Sequence, residues 1–124
     1  YQFEDVLLCP MIDARRMEVY CLIAKNDLSI VEKTQAKIID ESSFSNLLSD
    51  SKIIFFGNGA IKCKSVLDHS ENAIFIKEIV PSADHIGVLA WKAYQQRIFE
   101  NLAYFEPFYL KDFIAKKPSA KKMV

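Results

Sequence analysis

The hydrophobic period of this chain changes near residue 40, and that change limits its possible folds more than any other feature. Before it, three apolar segments alternate with short polar breaks, at residues 6–12, 17–24 and 29–39. Three consecutive strands with such short connections predict an antiparallel meander. After it, apolar residues recur at helical spacing in three segments that two short apolar runs separate. This second pattern predicts helices alternating with strands.

The first predicted helix follows a polar segment at residues 40–43 (DESS), which we expect to cap it. Its apolar residues at helical spacing are Phe44, Leu47 and Leu48. A short buried strand is predicted at residues 52–56, and a glycine turn and a second helix from Ala60 follow it. Another short strand is predicted at residues 73–76.

The longest predicted helix begins after Pro81 and Ser82. Its predicted apolar stripe is Ile86, Leu89, Ala90, Ala93 and Tyr94. Residues 103–113 are aromatic and alternate in polarity, which predicts a half-buried strand with Pro107 inside it. Residues 115–124 are rich in lysine and lack apolar anchors, so we expect a flexible basic tail there.

The predicted order is therefore β-β-β-α-β-α-β-α, in the α/β class. Alternating helices and strands require a partly parallel sheet with helices against its faces, here a mixed sheet of five strands. This order is that of the ribonuclease-H-like fold, which also forms each half of actin-like proteins. The chain has 124 residues, of which 51% are hydrophobic, and this is enough to fill the core of one such domain.

Charge and cysteine content narrow the function classes. Sixteen basic and sixteen acidic residues give a net charge of zero, which argues against a free-standing nucleic-acid binder. The longest apolar stretch, residues 6–12, is too short to cross a bilayer. Cys9, Cys21 and Cys63 are widely spaced in apolar runs, which predicts buried reduced thiols and a cytoplasmic protein. We expect no metal site, because neither histidine has a second ligand at zinc-binding spacing.

The residues give little support to two enzymatic interpretations, a nuclease and a serine hydrolase. A ribonuclease-H-like nuclease needs converging carboxylates, and Asp13 ends the first strand as one of them would. The fourth strand, however, ends with Phe56, Gly57 and Asn58, without a second acid. No serine lies in a G-x-S-x-G elbow. We therefore expect no catalytic residues and no self-contained active site.

Three polar or aromatic segments each allow two interpretations. Gly57, Asn58 and Gly59 could form a nucleotide-facing turn that binds phosphate, or a tight turn that needs a positive φ. Arg15 and Arg16 could bind a phosphate or a partner carboxylate, or could join a local ion-pair network. The aromatic run at residues 104–109 could contact RNA, or form the half-buried strand.

Two motifs resemble the TsaB family, also called YeaZ and once labelled glycoprotease-like. The first is residues 13–20 (DARRMEVY) and the second is residues 106–111 (EPFYLK). They have the family's order and separation, and the glycine turn lies between them. The resemblance implies interface or structural roles for nine residues: Asp13, Arg15, Arg16, Glu18, Tyr20, Glu106, Pro107, Tyr109 and Lys111. Many relatives carry arginine at the last of these positions.

The resemblance also implies a domain organisation and a function. Residues 1–114 would form the C-terminal actin-like domain, and the family's N-terminal domain would be absent. The protein would be a cytoplasmic, non-catalytic scaffold, with a TsaD-like catalytic subunit, a TsaE-like ATPase and a second copy of itself as partners. That complex transfers threonylcarbamoyl to the adenosine beside the anticodon of tRNA, which this chain would contact only indirectly. ATP would bind only to the assembled complex. The alternatives are a glycoprotease-like peptidase and an ATP-binding actin-like half-domain.

Overall fold

The computed structural model describes residues 6–111, in which five strands and three helices follow one another in the predicted order. The strands are β1 (Val6–Asp13), β2 (Glu18–Lys25), β3 (Ile30–Ile38), β4 (Lys52–Phe56) and β5 (Ala73–Ile76). The helices are α1 (Ser45–Asp50), α2 (Ala60–Leu67) and α3 (Ala83–Gln95). The predicted tail and the boundary at residue 114 lie outside the described residues.

The strands form one mixed sheet in the order β3-β2-β1-β4-β5, which confirms the predicted α/β fold class. β1 lies at the centre, antiparallel to β2 and parallel to β4, and β4 is parallel to β5. Pro10 lies in this central strand, where a residue without an N–H would break a ladder. The β1–β2 register accommodates it, because pairing stops after Leu8 and resumes at Met11.

One face of the sheet carries the core, because alternate strand residues point to the same side. α1 and α2 supply the helical side of this core. Its fully buried members include Cys9, Met11, Val19, Ile23, Ile53, Phe55, Ala60, Cys63 and Leu67. The Phe55 ring packs between Phe44, with ring centroids 5.4 Å apart, and Phe75, with centroids 5.2 Å apart.

The second face of the sheet is also apolar but is less covered. Its residues in β1, β2, β4 and β5 are mostly half-buried, among them Leu8, Leu22, Ile54, Phe56 and Ile74. Ile12 is 52% exposed and Ile38 is 71% exposed. The sheet is therefore apolar on both sides, as strands in a parallel α/β sheet usually are.

The first helix begins later than predicted, and residues 40–43 do not cap it. Its N-cap is Phe44, in the left-handed conformation at φ 62°, without a side-chain capping bond. The Asp40 carboxylate instead accepts the Ser42 N–H at 3.0 Å and the Ser43 hydroxyl at 3.0 Å. The polar side chains thus close a separate turn before the helix, since aspartate and serine bond readily to nearby backbone.

α3 forms as predicted but does not pack with its stripe against the sheet. Ser82 caps it by accepting the Asp84 N–H, and none of its residues is buried. Ile86 and Leu89 are 67% and 60% exposed. Helical spacing of apolar residues defines a face of a helix, but it does not determine which surface covers that face.

The prediction of a half-buried strand at residues 103–113 is wrong for residues 103–111, the part that the structure describes. Residues 103–109 are exposed, and the five-stranded sheet does not include this segment. Tyr104 and Phe108 are each 83% exposed. Pro107 cannot donate a ladder hydrogen bond, and alternation of aromatic and polar residues does not by itself supply a partner strand. Residues 112 and 113 lie outside the described residues.

Candidate functional site

The candidate site lies at one edge of the sheet, where the parallel strands β1 and β4 both end. In α/β sheets the carboxyl ends of parallel strands are the usual place for ligand and partner contacts. Here a group of five polar residues links the β1–β2 hairpin, the glycine turn, α2 and the C-terminal segment. We call this group the polar cluster: Asp13, Glu18, Asn58, Lys62 and Lys111.

The hairpin loop holds two arginines in a backbone conformation that non-glycine residues disfavour. Arg15 has φ 72° and Arg16 has φ 48°, and each costs about 1–2 kcal/mol relative to ordinary helical backbone. The Asp13 carboxylate stabilises the loop by accepting the Arg15 N–H at 2.8 Å. The Ala14 N–H donates to the Glu18 carbonyl at 3.0 Å. The loop therefore presents two exposed arginines that are adjacent in sequence.

The glycine turn packs directly against the end of β1. A Cβ on Gly57, which has φ 96°, would lie 2.4 Å from the Met11 carbonyl oxygen. A Cβ on Gly59 would lie 2.9 Å from the Ile12 carbonyl carbon. The Gly59 N–H donates to the Met11 carbonyl at 3.0 Å, so this donor is already engaged within the protein. Close packing thus accounts for both glycines.

Asn58 and Lys62 both bind the end of β1. The Asn58 side-chain oxygen accepts the Asp13 N–H at 3.0 Å. The Lys62 ammonium contacts the Asp13 carboxylate and also donates to the Glu18 carbonyl at 2.7 Å. The hydrogen bond from Lys62, together with the Arg15 N–H, holds the pKa of Asp13 below its usual range. This carboxylate therefore stays ionised and engaged at neutral pH.

An ion pair joins the two motifs that carry the family resemblance. The Lys111 ammonium donates to a Glu18 carboxylate oxygen at 2.6 Å, across 93 residues of sequence. The hydrogen bond to Glu18 raises the pKa of Lys111. The two motifs are therefore in direct contact through these side chains.

The structure brings some of the predicted site residues together and leaves others apart. Four of them belong to the polar cluster: Asp13, Glu18, Asn58 and Lys111. Arg15 and Arg16 are exposed in the adjoining loop, and Tyr20 is half-buried two residues after Glu18. Three further residues of the second motif are exposed outside the cluster: Glu106, Pro107 and Tyr109.

Sequence reasoning missed Lys62, although the sequence contains a signal for it. Lys62 is the third residue of α2, where a positive charge opposes the helix dipole. A residue that violates a local preference in this way usually has a tertiary partner. Here the partner is Asp13, which only the fold brings near.

The three cysteines are free and buried, as predicted. A hydrogen bond with Cys21 and burial raise the pKa of Cys9 far above its usual range. Burial also raises the pKa of Cys63, whose thiol donates to the Gly59 carbonyl at 3.3 Å. Because the thiolate is the nucleophile, raised pKa values make these two thiols weaker nucleophiles at neutral pH.

Residues 6–111 contain neither a candidate metal site nor a candidate membrane span. No group of three or more His, Cys, Asp and Glu side chains within this range could hold a metal ion. Nor is any helix in this part of the chain long and apolar enough to cross a membrane.

The solved structures to which the chain is similar include one that bears on its fold. That structure is described as "an uncharacterized protein with similarity to peptidase YEAZ from Pseudomonas aeruginosa". The TM-score is 0.64 at 16% identity, over 89% of this chain and 51% of that chain. The chain thus spans about half the length of this neighbour and has a YeaZ-like (TsaB-like) fold. No family model and no curated protein matches the sequence.

Proposed function

We propose that this chain is the C-terminal domain of a TsaB-like scaffold subunit without catalytic activity. It would act in the complex that transfers threonylcarbamoyl to the adenosine beside the anticodon of tRNA. The observation that carries this proposal is the 2.6 Å ion pair between Glu18 and Lys111. It connects the DARRMEVY and EPFYLK motifs, which lie far apart in sequence, as expected if both belong to one surface rather than being two chance matches.

The state of the carboxylates supports a non-catalytic role. Asp13 is paired with Lys62, and Glu18 is paired with Lys111. A general base or metal ligand needs a carboxylate that can reach substrate or metal, whereas these two hold the protein together. The chemistry would therefore reside in another subunit.

The exposed arginine pair supports a role in binding a partner. Arg15 and Arg16 retain strained backbone conformations at an exposed loop tip, and such strain often accompanies function. Exposed guanidinium groups suit partner carboxylates, each of which a guanidinium can bind through two parallel hydrogen bonds. We assign this loop to contact with a TsaD-like catalytic subunit.

The rest of the proposal follows from the TsaB resemblance. A TsaE-like ATPase would complete the complex, a second copy of the chain would form a homodimer, and the location would be the cytoplasm. Contact with tRNA would be indirect, in keeping with the net charge of zero. ATP would bind only to the assembled complex; in this chain the Gly59 N–H of the glycine turn already donates to the Met11 carbonyl.

The test expresses the gene that encodes this chain in a host depleted of its own TsaB subunit. Threonylcarbamoyladenosine in ANN-reading tRNAs is then measured by nucleoside mass spectrometry, and capture of TsaD is measured by pull-down. We expect both signals from the unchanged gene, and loss of both after Arg15→Ala together with Arg16→Ala.

The matched control changes Lys33 and Lys64 to alanine, which removes two exposed positive charges elsewhere. This control should retain TsaD capture and tRNA modification. If the unchanged gene restores no modification and captures no TsaD, the scaffold proposal is wrong. If the arginine variant behaves as the control does, the assignment of the loop is wrong.

A peptidase is the second candidate, since the name of the solved neighbour mentions a peptidase. Cleavage of a fluorescent casein substrate by the purified chain would support it. The ATP-binding half-domain is tested by calorimetric titration with ATP, for which we expect no heat of binding. Binding at micromolar ATP would favour that alternative over the scaffold.

A further inference from the structure

β3 is an edge strand of the sheet, and its outer side has no neighbouring strand within residues 6–111. The strand is nine residues long, and among the described strands it pairs with β2 alone. An edge of this length presents a row of backbone N–H and C=O groups with which another segment can pair. These groups determine the shape of a suitable partner, because only an extended segment can match their spacing.

The register with β2 identifies the backbone groups of β3 that point outward. The Ile39 N–H donates to the Met17 carbonyl at 2.7 Å, in the same register as the two strands. Hydrogen-bonded and non-hydrogen-bonded pairs alternate along antiparallel strands, so Lys37 bonds to β2 whereas Ala36 and Ile38 do not. The N–H and C=O groups of Ala36 and Ile38 therefore point away from β2, where no described residue bonds to them.

Two lysines give this edge a positive charge that no carboxylate in the described part of the chain contacts directly. Lys33 is exposed and Lys37 is half-buried, and neither belongs to an ion pair of residues 6–111. The Lys37 ammonium lies over the Phe44 ring, 4.3 Å from its centre. The acid of the same strand, Glu32, accepts a hydrogen bond from the Gln35 side chain at 3.1 Å. A carboxylate is therefore the group that would complement this edge.

A depression of about 360 Å³ lies beside the edge, between β3 and residues 40–47. Lys37 and Ser45 are among the residues that line it. The Asp40 carboxylate, which also lines it, already accepts the Ser42 hydroxyl at 2.8 Å. Alternate residues of a strand added to β3 would point to the same side of the sheet as Lys37. One of their side chains would therefore reach this depression, as side chains of added strands reach pockets in other proteins.

We propose that the outer edge of β3 binds an extended acidic segment of another protein, which adds a sixth strand to the five-stranded sheet. Backbone hydrogen bonds to Ala36 and Ile38 would hold this segment in place. A glutamate or aspartate side chain of the segment would pair with Lys37 at the depression. This inference goes beyond the scaffold function and does not depend on it.

Charge favours an acidic partner over a second copy of this chain. β3 contains two lysines and one glutamate, so pairing two copies edge to edge would double an excess of positive charge. Like charges directly opposite each other on neighbouring strands are destabilising. Lysines on an edge also discourage pairing with uncharged strands, so the same two residues select for acidic segments.

Fluorescence anisotropy with synthetic peptides tests the proposal on the 124-residue chain. The acidic probe is a labelled nine-residue peptide that alternates threonine with valine or glutamate. The basic probe replaces each glutamate with lysine. The proline probe replaces alternate threonines with proline, which cannot donate a ladder hydrogen bond. We expect saturable binding of the acidic probe and no saturation with the other two.

Substitution of Lys37 tests the side-chain contact. Lys37→Met should weaken binding of the acidic probe about fivefold, because a charge-assisted pair is lost. Lys64→Met is the matched control, since it makes the same substitution at an exposed lysine of α2, and it should leave the affinity within twofold. Lys37→Glu should reverse the preference and bind the basic probe more tightly than the acidic one. An edge that was merely damaged would bind neither probe.

Substitution of Ala36 tests the backbone contact. Ala36→Pro removes an outward N–H without removing a hydrogen bond to β2, and it should weaken binding of the acidic probe about tenfold. Ala36→Ser keeps the N–H and should bind as the original chain does. Urea denaturation shows whether both variants fold. If Ala36→Pro does not fold, the proline probe makes the same test from the side of the peptide.

The outcomes distinguish the possible occupants of the edge. Absence of saturable binding by the acidic probe would overturn the proposal. Equal binding of the acidic and basic probes would overturn the acidic character of the partner. Equal binding of the acidic and proline probes would show that contact lies away from the β3 backbone. A dimer of the chain alone that Ala36→Pro converts to a monomer would mean that a second copy occupies the edge. None of these results bears on the assays of TsaD capture and tRNA modification.

Discussion

The Asn58 side-chain oxygen accepts the backbone N–H of Asp13 at 3.0 Å, which ties the glycine turn to the first residue of the DARRMEVY motif. The glycine turn follows β4, and the motif begins at the last residue of β1. This hydrogen bond therefore joins residues that are 45 positions apart in the sequence. Through this hydrogen bond, Asn58 and Asp13 together hold both the hairpin loop and the start of α2.

Asn58→Ala should lower the free energy of unfolding by about 1 kcal/mol, the usual effect of losing one hydrogen bond. Asn46→Ala is the control, because Asn46 is an exposed residue of α1 and alanine favours a helix. Urea denaturation measures both variants. Equal stabilities of the two would show that the bond contributes nothing.

Gly57→Ala and Gly59→Ala should each destabilise the fold by about 2–3 kcal/mol, because an added Cβ strikes the backbone at the end of β1. Gly87→Ala provides the contrast within the same chain. Its Cβ meets open space, so the Gly87→Ala variant should be as stable as the original chain or more stable. Thermal unfolding followed by circular dichroism shows whether each variant is less or more stable than the original chain. A Gly59→Ala variant as stable as the original chain would refute the packing argument.

Protonation of Asp13 should contribute to the loss of folding stability at acidic pH. Its pKa is lowered in the folded protein by Lys62 and the Arg15 N–H. The contribution is therefore complete above the unfolded-state pKa of about 3.9, and it is lost as the pH falls through the lower folded-state pKa.

Asp13→Asn should accordingly flatten the decline of stability below about pH 5, as measured by urea midpoints at a series of pH values. Some decline will remain, because hydroxyls of Ser29 and Ser42 also lower the pKa values of Asp27 and Asp40. Asp50→Asn is the control at an exposed aspartate and should retain the original slope. Identical slopes for Asp13→Asn and the control would contradict the assignment.

Arg15→Gly should raise the free energy of unfolding by up to about 1 kcal/mol, because glycine adopts φ 72° without strain. Arg15→Lys keeps the charge and the strain, so its stability should match that of the original chain. If the loop binds a partner, the glycine variant gains stability and loses binding. A destabilised glycine variant would mean that the side chain itself supports the loop.

Lys111→Met should increase cleavage of residues 101–109 by chymotrypsin several-fold, because the ion pair with Glu18 anchors the end of this segment. Lys111→Arg retains a cation and should resist cleavage as the original chain does. Lys64→Met controls for the loss of one exposed positive charge on α2. An unchanged cleavage rate in Lys111→Met would show that the anchor is ineffective.

The order of elements could be predicted from the sequence because it follows from local periodicity. Alternation at residues 17–24 and helical spacing after Ala60 depend only on residues close in sequence. The mixed sheet followed from connection lengths, and the buried cysteines followed from their apolar neighbours. The glycine turn was also predictable, although its two glycines could not be assigned to phosphate binding or to packing until Met11 was placed beside them.

Only the tertiary structure decided which side chains meet. Lys62 and Asp13 are 49 residues apart, and Lys111 and Glu18 are 93 residues apart, so no local pattern couples them. The same limit explains the errors. The stripe of α3 and the aromatic alternation before residue 109 describe what these segments could bury, but burial requires a second surface. Periodicity is a property of one segment, whereas contact is a property of two, and a sequence read locally contains only the first.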